Sequence, residues 1–450
     1  MRTCAQAVAN YLKQTELNKR PLVIGYDTRF ASEDFAAASA EVIAGNKIKV
    51  CLCSKAAPTP VVSYAVLDNK AAGGIMVTAS HNPASWNGFK YKAEGGFSAP
   101  NEITAEIEKH IANVLSTKRI ERIPLAEAVS AGLVEYFDPD PAYFRQLAQL
   151  IDLEKLRQHR LKIVVDPMYG AGIGYFKKLL EGGKLEIIEI NGERNPSFPG
   201  IQPEPIARNL TKLSKLVEEQ KADIGLATDG DADRIGIVDE KGEFLTPLQV
   251  FALLCLYLLE VRGERGAMVK TLTSTNMLLR LGEIFDVPVF ETAVGFKYVA
   301  PLMIEKKAII GGEESGGYGF RGHVPERDGI LAGLYFLDFM AETGKTPTQL
   351  IDYLYSKVGP HYYERTDFPL TPDKRQKLIG QITHATPDYI ADVKVVKLDT
   401  TDGFRFLLAD NSWLLIRFSG TEPLVRIYAE SNSLERVRKL LENGKQLLGI

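Results

Sequence analysis

Cysteine is scarce in this chain: four residues among 450, at Cys4, Cys51, Cys53 and Cys255. Cys51 and Cys53 form a C-x-C on a strand-like segment, with no second pair to complete a zinc site. Buried, reduced thiols in a cytosolic protein are therefore expected. Net charge is almost absent as well, at −3, which argues against a nucleic-acid partner or a membrane surface reached by bulk charge. No apolar run approaches the length that spans a bilayer, and residues 250–259 read as a buried helix. The first residues carry no apolar signal core, so nothing there directs export and a cytoplasmic location is expected. What is present is a globular mixture, 45% hydrophobic and 25% charged. The length exceeds one ordinary core and predicts roughly two to four domains.

Helix-like and strand-like segments alternate from the start. Residues 3–16 read as an amphipathic helix broken by Pro21, 22–25 as a strand, 32–44 as a helix, 48–53 as a strand and 60–67 as a helix. That alternation predicts an α/β layer with a largely parallel sheet. In such sheets the chemistry lies in loops at the carboxyl ends of strands, and Asp27, Arg29 and Ser80 all fall at such ends. The pattern restarts after Asp138-Pro139-Asp140-Pro141 and again near Thr246, giving α/β units over residues 1–138, 139–245 and 246–358. Beyond 359 it changes. Strand-like runs at 393–398, 403–408, 413–418 and 424–429, flanked by helices at 372–384 and 434–448, predict an α+β unit with an antiparallel sheet over 359–450.

Several loops carry residues with chemical uses. The apolar run ending at Val77 is followed by Thr78, Ala79, Ser80, His81, Asn82 and Pro83. A serine at such an exit can be a nucleophile, a phosphoryl carrier, or simply a turn residue. Lys90 follows nearby, and from spacing alone it reads as a surface lysine. The glycine-rich turn at 170–174 is not G-x-G-x-x-G and has no acidic partner for a ribose, so a dinucleotide site is not expected. Asp229, Asp231 and Asp233 alternate along a tight loop with apolar flanks. Carboxylates so close repel unless a cation sits among them, and hard oxygen ligands suit Mg²⁺ or Ca²⁺. A helix-loop-helix calcium site is opposed by Arg234, which stands where the turn needs glycine; a solvated acidic turn is the plainer alternative. Lys297 lies in another strand-end loop. Glu313, Glu314 and Ser315 end a strand among glycines, as residues that bind sugar hydroxyls would, or as an acidic turn would. His323 follows. Arg417, Ser419, Gly420 and Thr421, with Arg426 beyond, have the donors to wrap a phosphate dianion; a tight hairpin would explain the glycine but not the arginines.

In order, Thr78-Ala79-Ser80-His81-Asn82-Pro83, Asp229-Gly230-Asp231-Ala232-Asp233-Arg234, Gly312-Glu313-Glu314-Ser315-Gly316 and Arg417-Phe418-Ser419-Gly420-Thr421-Glu422-Pro423 resemble the motifs of the α-D-phosphohexomutase superfamily, the phosphoglucomutases and phosphomannomutases. The resemblance covers essentially the whole chain. It implies a four-domain architecture around a central cleft, with three similar α/β domains, a C-terminal α+β domain, and one loop from each. It implies that Ser80 is the phosphorylated serine, and that Asp229, Asp231 and Asp233 hold one Mg²⁺ per chain together with the serine phosphate. Glu313 and Ser315 would bind sugar hydroxyls. Arg417, Ser419, Gly420, Thr421 and Arg426 would bind the phosphate that is not reacting. Arg29, His81, Lys90, Arg234, Lys297 and His323 would line the cleft, with Lys90 as acid/base.

The implied reaction interconverts glucose 1-phosphate and glucose 6-phosphate through a phosphoserine and a sugar 1,6-bisphosphate, which also serves as activator. Glu-Glu-Ser-Gly resembles glucose-phosphate enzymes more than the Glu-Met-Ser-Gly of dual-specificity phosphomannomutases. Mannose and glucosamine phosphates are the alternatives, and a non-catalytic, Mg²⁺-dependent sugar-phosphate binding protein is the alternative of another class. The expected partners are hexose phosphates, with no nucleic acid or membrane, in a monomer or homodimer. Members of this family usually begin with a strand and a loop resembling Gly-Thr-Asp-Gly-Trp-Arg-Gly, whereas this chain opens inside the following helix. A missing first-domain strand and arginine, with lower stability and activity, are expected on that ground.

Overall fold

The computed structural model describes residues 1–420 and 423–450, arranged around four sheets. The first contains β1 (Leu22–Tyr26), β2 (Val50–Cys53), β3 (Gly73–Val77), β4 (Phe89–Lys92) and β5 (Val134–Phe137), in the order β4-β3-β1-β2-β5. The second contains β6 (Lys162–Asp166), β7 (Glu186–Glu189), β8 (Ile224–Thr228), β9 (Ile235–Val238) and β10 (Phe244–Leu245), in the order β10-β9-β8-β6-β7. The third contains β11 (Met268–Thr271), β12 (Val289–Thr292), β13 (Ile310–Gly312) and β14 (Tyr318–Phe320), in the order β12-β11-β13-β14.

One arrangement recurs in all three. Two parallel strands (β1 and β2, β6 and β7, β11 and β12) adjoin a third parallel strand (β3, β8, β13), which is followed by an antiparallel return (β4, β9, β14). The alternating pattern read from the sequence predicts largely parallel sheets. The observed sheets are mixed, because the chain reverses directly after β3, β8 and β13 instead of crossing over through a helix. Each reversal is a motif loop: Ser80 lies between β3 and β4, the aspartates between β8 and β9, and Glu313 between β13 and β14. The fourth sheet is wholly antiparallel: β15 (Tyr362–Pro369), β16 (Tyr389–Ile390), β17 (Val393–Asp399), β18 (Phe404–Leu408), β19 (Trp413–Phe418) and β20 (Leu424–Ser431), in the order β15-β20-β19-β18-β17-β16. The fourth motif begins in β19, at Arg417, and β20 starts just after its last residue, at Leu424.

The first three sheets share a continuous apolar core. Two helices at its centre, Pro247–Leu256 and Gly329–Thr343, are apolar nearly all round and buried accordingly. Thr246 and Gln249 close the first with a capping box, and Asp328 caps the second by accepting a bond from Leu331 N. The fourth sheet has its own core. It meets the rest through a small cluster of Leu272 with Trp413, Leu415 and Tyr428, and through Arg405, which grips Glu291 with both terminal nitrogens at 2.9 Å. No helix among the described residues is long and apolar enough to cross a membrane.

Candidate active site

Ser80 sits just past the fully buried strand β3 with φ at +51°, a left-handed conformation that costs a serine on the order of 1 kcal/mol. The surroundings enforce it. Ser80 N donates to Thr78 Oγ1 at 2.8 Å, and Arg29 Nη2 donates to the carbonyl oxygens of Ser80 and Asn82, both at 2.6 Å. Arg29 Nη1 reaches the carbonyls of Pro83 and Trp86 at 2.8 and 3.1 Å, while its Nε faces Asp27 Oδ2 at 3.2 Å. The guanidinium also lies over the Phe198 ring at 4.9 Å. Arg29 therefore does not line the cleft as the family resemblance implies. Its side chain is fully buried behind the serine loop, because the loop curls its carbonyls inward and the guanidinium is what meets them there.

The aspartate loop meets this serine. Ser80 Oγ donates to Asp229 Oδ2 at 2.9 Å. Asp229, Asp231 and Asp233 are all fully buried, and each offers a carboxylate oxygen within 4.8 Å of the others. Asp231 Oδ1 and Asp233 Oδ1 have no hydrogen-bond partner, which leaves buried anionic oxygens pointed into one small space. Hard, partnerless carboxylate oxygens at this spacing fit a divalent cation of the Mg²⁺ class. Glycine is required at 230, where a Cβ would stand 2.4 Å from Ser80 O. Thr59 Oγ1 and Lys90 Nζ both donate to Asp231 Oδ2, at 2.6 and 2.9 Å. Burial raises Asp231, but the Lys90 ammonium and the Thr59 hydroxyl outweigh it and hold its carboxyl well below the usual carboxylate range. Burial and then the neighbouring carboxylates push Asp229 up. Burial lowers Lys90, yet Asp231 and Asp233 raise it more, so it stays an ammonium.

His81 follows the serine, with Nδ1 3.5 Å from Ser80 Oγ. The positive charge of Arg234 and burial lower its pKa to about 2, so the ring is a neutral imidazole. Arg234 faces Glu204 and Asp233, each at 3.9 Å. His81 and Arg234 line a cavity of about 360 Å³ together with Glu313, Glu314, Ser315 and Arg426. Arg327 also lines it, with Nη2 2.6 Å from Asp233 Oδ2 and Nη1 3.2 Å from Glu313 Oε2. Burial pushes Glu313 up despite that arginine. Glu314 accepts from Thr273 Oγ1 at 2.6 Å. A larger hollow of about 730 Å³ lies beside residues 141–157. It is remote from every motif loop, and its Arg157 is taken up by Glu154 and the Leu179 carbonyl.

Two other residues expected in the cleft are not among those lining this cavity. The His323 side chain is fully buried; its Nε2 is 2.9 Å from Asp328 Oδ2, and its ring stacks on Tyr64 at 5.7 Å. It belongs to the packed junction of the first three domains, where Tyr143 Oη also bonds Asp328. Lys297 is exposed at the start of the helix Phe296–Lys306, with Nζ 5.1 Å from the Tyr298 ring centroid. In the fourth domain, Arg417 Nε pairs with Asp402 Oδ1 at 3.0 Å, and the buried Ser419 offers its carbonyl to Arg375 at 2.7 Å. Gly420 is exposed, and Thr421 lies outside the described residues. Arg426 reaches the cavity from β20, and Tyr363 and Arg365 reach it from β15. Arg327, Glu204, Tyr363 and Arg365 were not singled out from the sequence. Only the charged run Glu326-Arg327-Asp328 offered a signal, and it had no motif spacing.

The site thus assembles a strained serine, a buried carboxylate trio, a carboxylate-lined cavity and an arginine-rich far wall. Family models match throughout: phosphoglucomutase/phosphomannomutase α/β/α domain I over residues 1–118, domain II over 141–242, domain III over 246–358 and the C-terminal domain over 374–443. The chain is 32% identical over 440 residues to a "Phosphoglucomutase/phosphomannomutase" of Thermococcus kodakarensis, covering 97% of this chain and 92% of that protein. It is 31% identical over 434 residues to a "Probable phosphoglucosamine mutase" of Methanothermobacter thermautotrophicus, covering 95% and 89%. A crystal structure of a "putative phosphomannomutase" from Thermus thermophilus superposes with a TM-score of 0.86 at 35% identity, covering 100% of this chain and 94% of that one. The chain belongs to the phosphoglucomutase/phosphomannomutase family, the phosphohexomutases, and is an isomerase-type phosphotransferase.

Proposed function

We propose that this enzyme interconverts glucose 1-phosphate and glucose 6-phosphate through a phosphorylated Ser80 and a glucose 1,6-bisphosphate intermediate. The observation that carries the reading is the contact between Ser80 Oγ and Asp229 Oδ2 at 2.9 Å, which sets a hydroxyl against a cation-ready carboxylate trio. Phosphoryl transfer needs charge neutralisation and in-line positioning more than covalent assistance. One Mg²⁺ held by Asp229, Asp231 and Asp233 would supply that neutralisation beside the serine phosphate.

The remaining steps fall to the chain's own residues. Phosphoserine gives its phosphoryl group to the free sugar hydroxyl: the Oγ–P bond breaks, a P–O bond to the sugar forms, and the hydroxyl's proton is lost as the serine oxygen regains one. Lys90, kept as an ammonium on Asp231, would hold or return that proton at the serine end. Arg426, on the far wall of the cavity, and Arg417, beside Asp402, would grip the idle phosphate. Glu313 and Ser315 accept sugar hydroxyls, and the bisphosphate turns over before its other phosphate returns to Ser80. Mannose or glucosamine phosphate is the second reading, because relatives bear those names.

A coupled assay with glucose, mannose and glucosamine 1-phosphates, each with a trace of the matching bisphosphate and Mg²⁺, tests the reading. The highest kcat/KM is expected for glucose 1-phosphate. A tenfold preference for another sugar would replace the substrate, and turnover of none would remove the reading.

A further inference from the structure

Two motif loops that belong to different sheets meet at one side chain. Arg327 lies between β14 and the helix Gly329–Thr343. Its Nη2 is 2.6 Å from Asp233 Oδ2 in the aspartate loop, and its Nη1 is 3.2 Å from Glu313 Oε2 in the sugar-facing loop. Its Nε is 3.6 Å from Glu326 Oε1, and the guanidinium lies over the Phe296 ring at 5.6 Å, so the fork is held in place from behind. The side chain is only 14% exposed, and the part that shows faces the cleft. Glycine at 317 permits this seat, since a Cβ there would stand 2.3 Å from Arg327 Cδ.

A planar guanidinium can serve two carboxylates at once, whereas an ammonium acts as a single point charge. A cation taking the partnerless Asp233 Oδ1 draws on the same carboxylate whose Oδ2 pairs with Arg327, and so weakens that pair. The donors freed from Asp233 are then available to Glu313, which Nη1 already reaches, and to the cleft, where a sugar phosphate would present hydroxyl and phosphate oxygens. We propose that Arg327 couples divalent-cation binding at Asp229, Asp231 and Asp233 to sugar-phosphate binding at the Glu313 loop, so that each ligand tightens the other. The coupling rests on the hexose-phosphate reading of the site. Linkage makes it reciprocal: the factor by which the cation tightens the sugar phosphate equals the factor by which the sugar phosphate tightens the cation.

The test uses the full chain carrying Ser80→Ala, which binds without turnover. Mg²⁺ is titrated calorimetrically with and without saturating glucose 1-phosphate, and glucose 1-phosphate with and without Mg²⁺. The Mg²⁺ Kd is expected to fall about fivefold or more when the sugar phosphate is present. Arg327→Gln in the same background brings that ratio close to one while each ligand still binds alone, and Arg327→Lys gives an intermediate ratio. A ratio of one with Arg327 present, or a full ratio in Arg327→Gln, overturns the coupling. If Arg327→Gln does not fold, Arg327→Lys decides, and a ratio equal to that of the arginine chain overturns it. Failure of the arginine chain to bind Mg²⁺, or to bind any of glucose, mannose and glucosamine 1-phosphates, overturns the underlying reading of the site itself.

Discussion

Replacing Arg29 by methionine separates a loop brace from a substrate contact. The substitution deletes four donated bonds to the carbonyls of Ser80, Asn82, Pro83 and Trp86 and leaves Asp27 buried without its cation. Each bond is worth about 0.5–1.5 kcal/mol, and breaking a buried ion pair costs about 3–5 kcal/mol. The terms do not add, because a released loop can turn its carbonyls to water. Asp27 also keeps the Ser32 hydroxyl at 2.7 Å and the backbone N–H of residue 29 at 3.0 Å. A loss of about 4 kcal/mol follows, large against the roughly 5–15 kcal/mol that holds a typical domain. For a first domain of this size it corresponds to a fall of roughly 15 °C in its unfolding temperature. Ser80 loses its enforced left-handed geometry at the same time, and phosphoryl uptake from glucose 1,6-bisphosphate slows about 100-fold. Calorimetry and intact-mass kinetics read the two effects. Arg29→Lys restores the charge opposite Asp27 but cannot span four carbonyls, so it recovers part of the stability and little of the rate. A cleft arginine would behave in the opposite way, raising KM with the unfolding temperature unchanged. That result, or normal uptake by Arg29→Met, would refute the bracing argument.

Asp231→Asn removes the partner of Lys90 and one oxygen of the carboxylate trio. Turnover should fall at least about 100-fold, and the calorimetric Mg²⁺ Kd should weaken; unchanged Mg²⁺ binding would move the cation elsewhere. Lys92→Met leaves Glu326 charged in a fully buried pocket from which a 2.6 Å ion pair has been removed. This pair joins β4 to the third domain, and its loss should lower stability by about 3–5 kcal/mol, read as a drop in unfolding temperature; an unchanged temperature would show that the pair contributes nothing there. Burial pushes Asp166 up to about 6 from 3.8. Because the folded value is the higher one, its stabilisation is complete below about pH 4 and is lost as pH rises through 6, about 3 kcal/mol in all. Asp166→Asn should therefore gain in unfolding temperature relative to the parent between about pH 4.5 and 7.5, and a pH-independent difference would contradict this.

The elements were legible wherever periodicity was strong. The alternation of residues 22–67 and the meander beyond 393 mark the two kinds of sheet, and each motif falls in the loop expected of it. The antiparallel returns β4, β9 and β14 were not legible, because a short strand after a loop has the same apolar alternation whichever way it runs. Among site residues, the three aspartates carry their chemistry in their spacing, whereas the role expected of Ser80 came from the family resemblance; the structure sets Ser80 against Asp229 and gathers the three carboxylates. Arg29 and His323 show where a role carried over from the family resemblance does not fit the geometry. Both are polar residues near motif loops, and both are buried behind them, one by the inward carbonyls of the serine loop and the other by Asp328 and Tyr64. Arg327 escaped notice for the converse reason. It sits in an irregular segment without a motif, and only the approach of two sheets gives it Asp233 and Glu313 as partners.

The central claim is that Ser80 carries the phosphoryl group between the two ends of the sugar. The direct measurement labels the full chain with glucose 1,6-bisphosphate bearing ³²P, locates the label by peptide mass spectrometry, and then chases it with unlabelled glucose 1-phosphate and Mg²⁺. The account predicts one phosphate per chain on Ser80, none on Ser80→Ala, and release of the label into glucose 1,6-bisphosphate and then into glucose 6-phosphate within the turnover time. Label on another residue, or label on Ser80 that the chase does not remove, would contradict it.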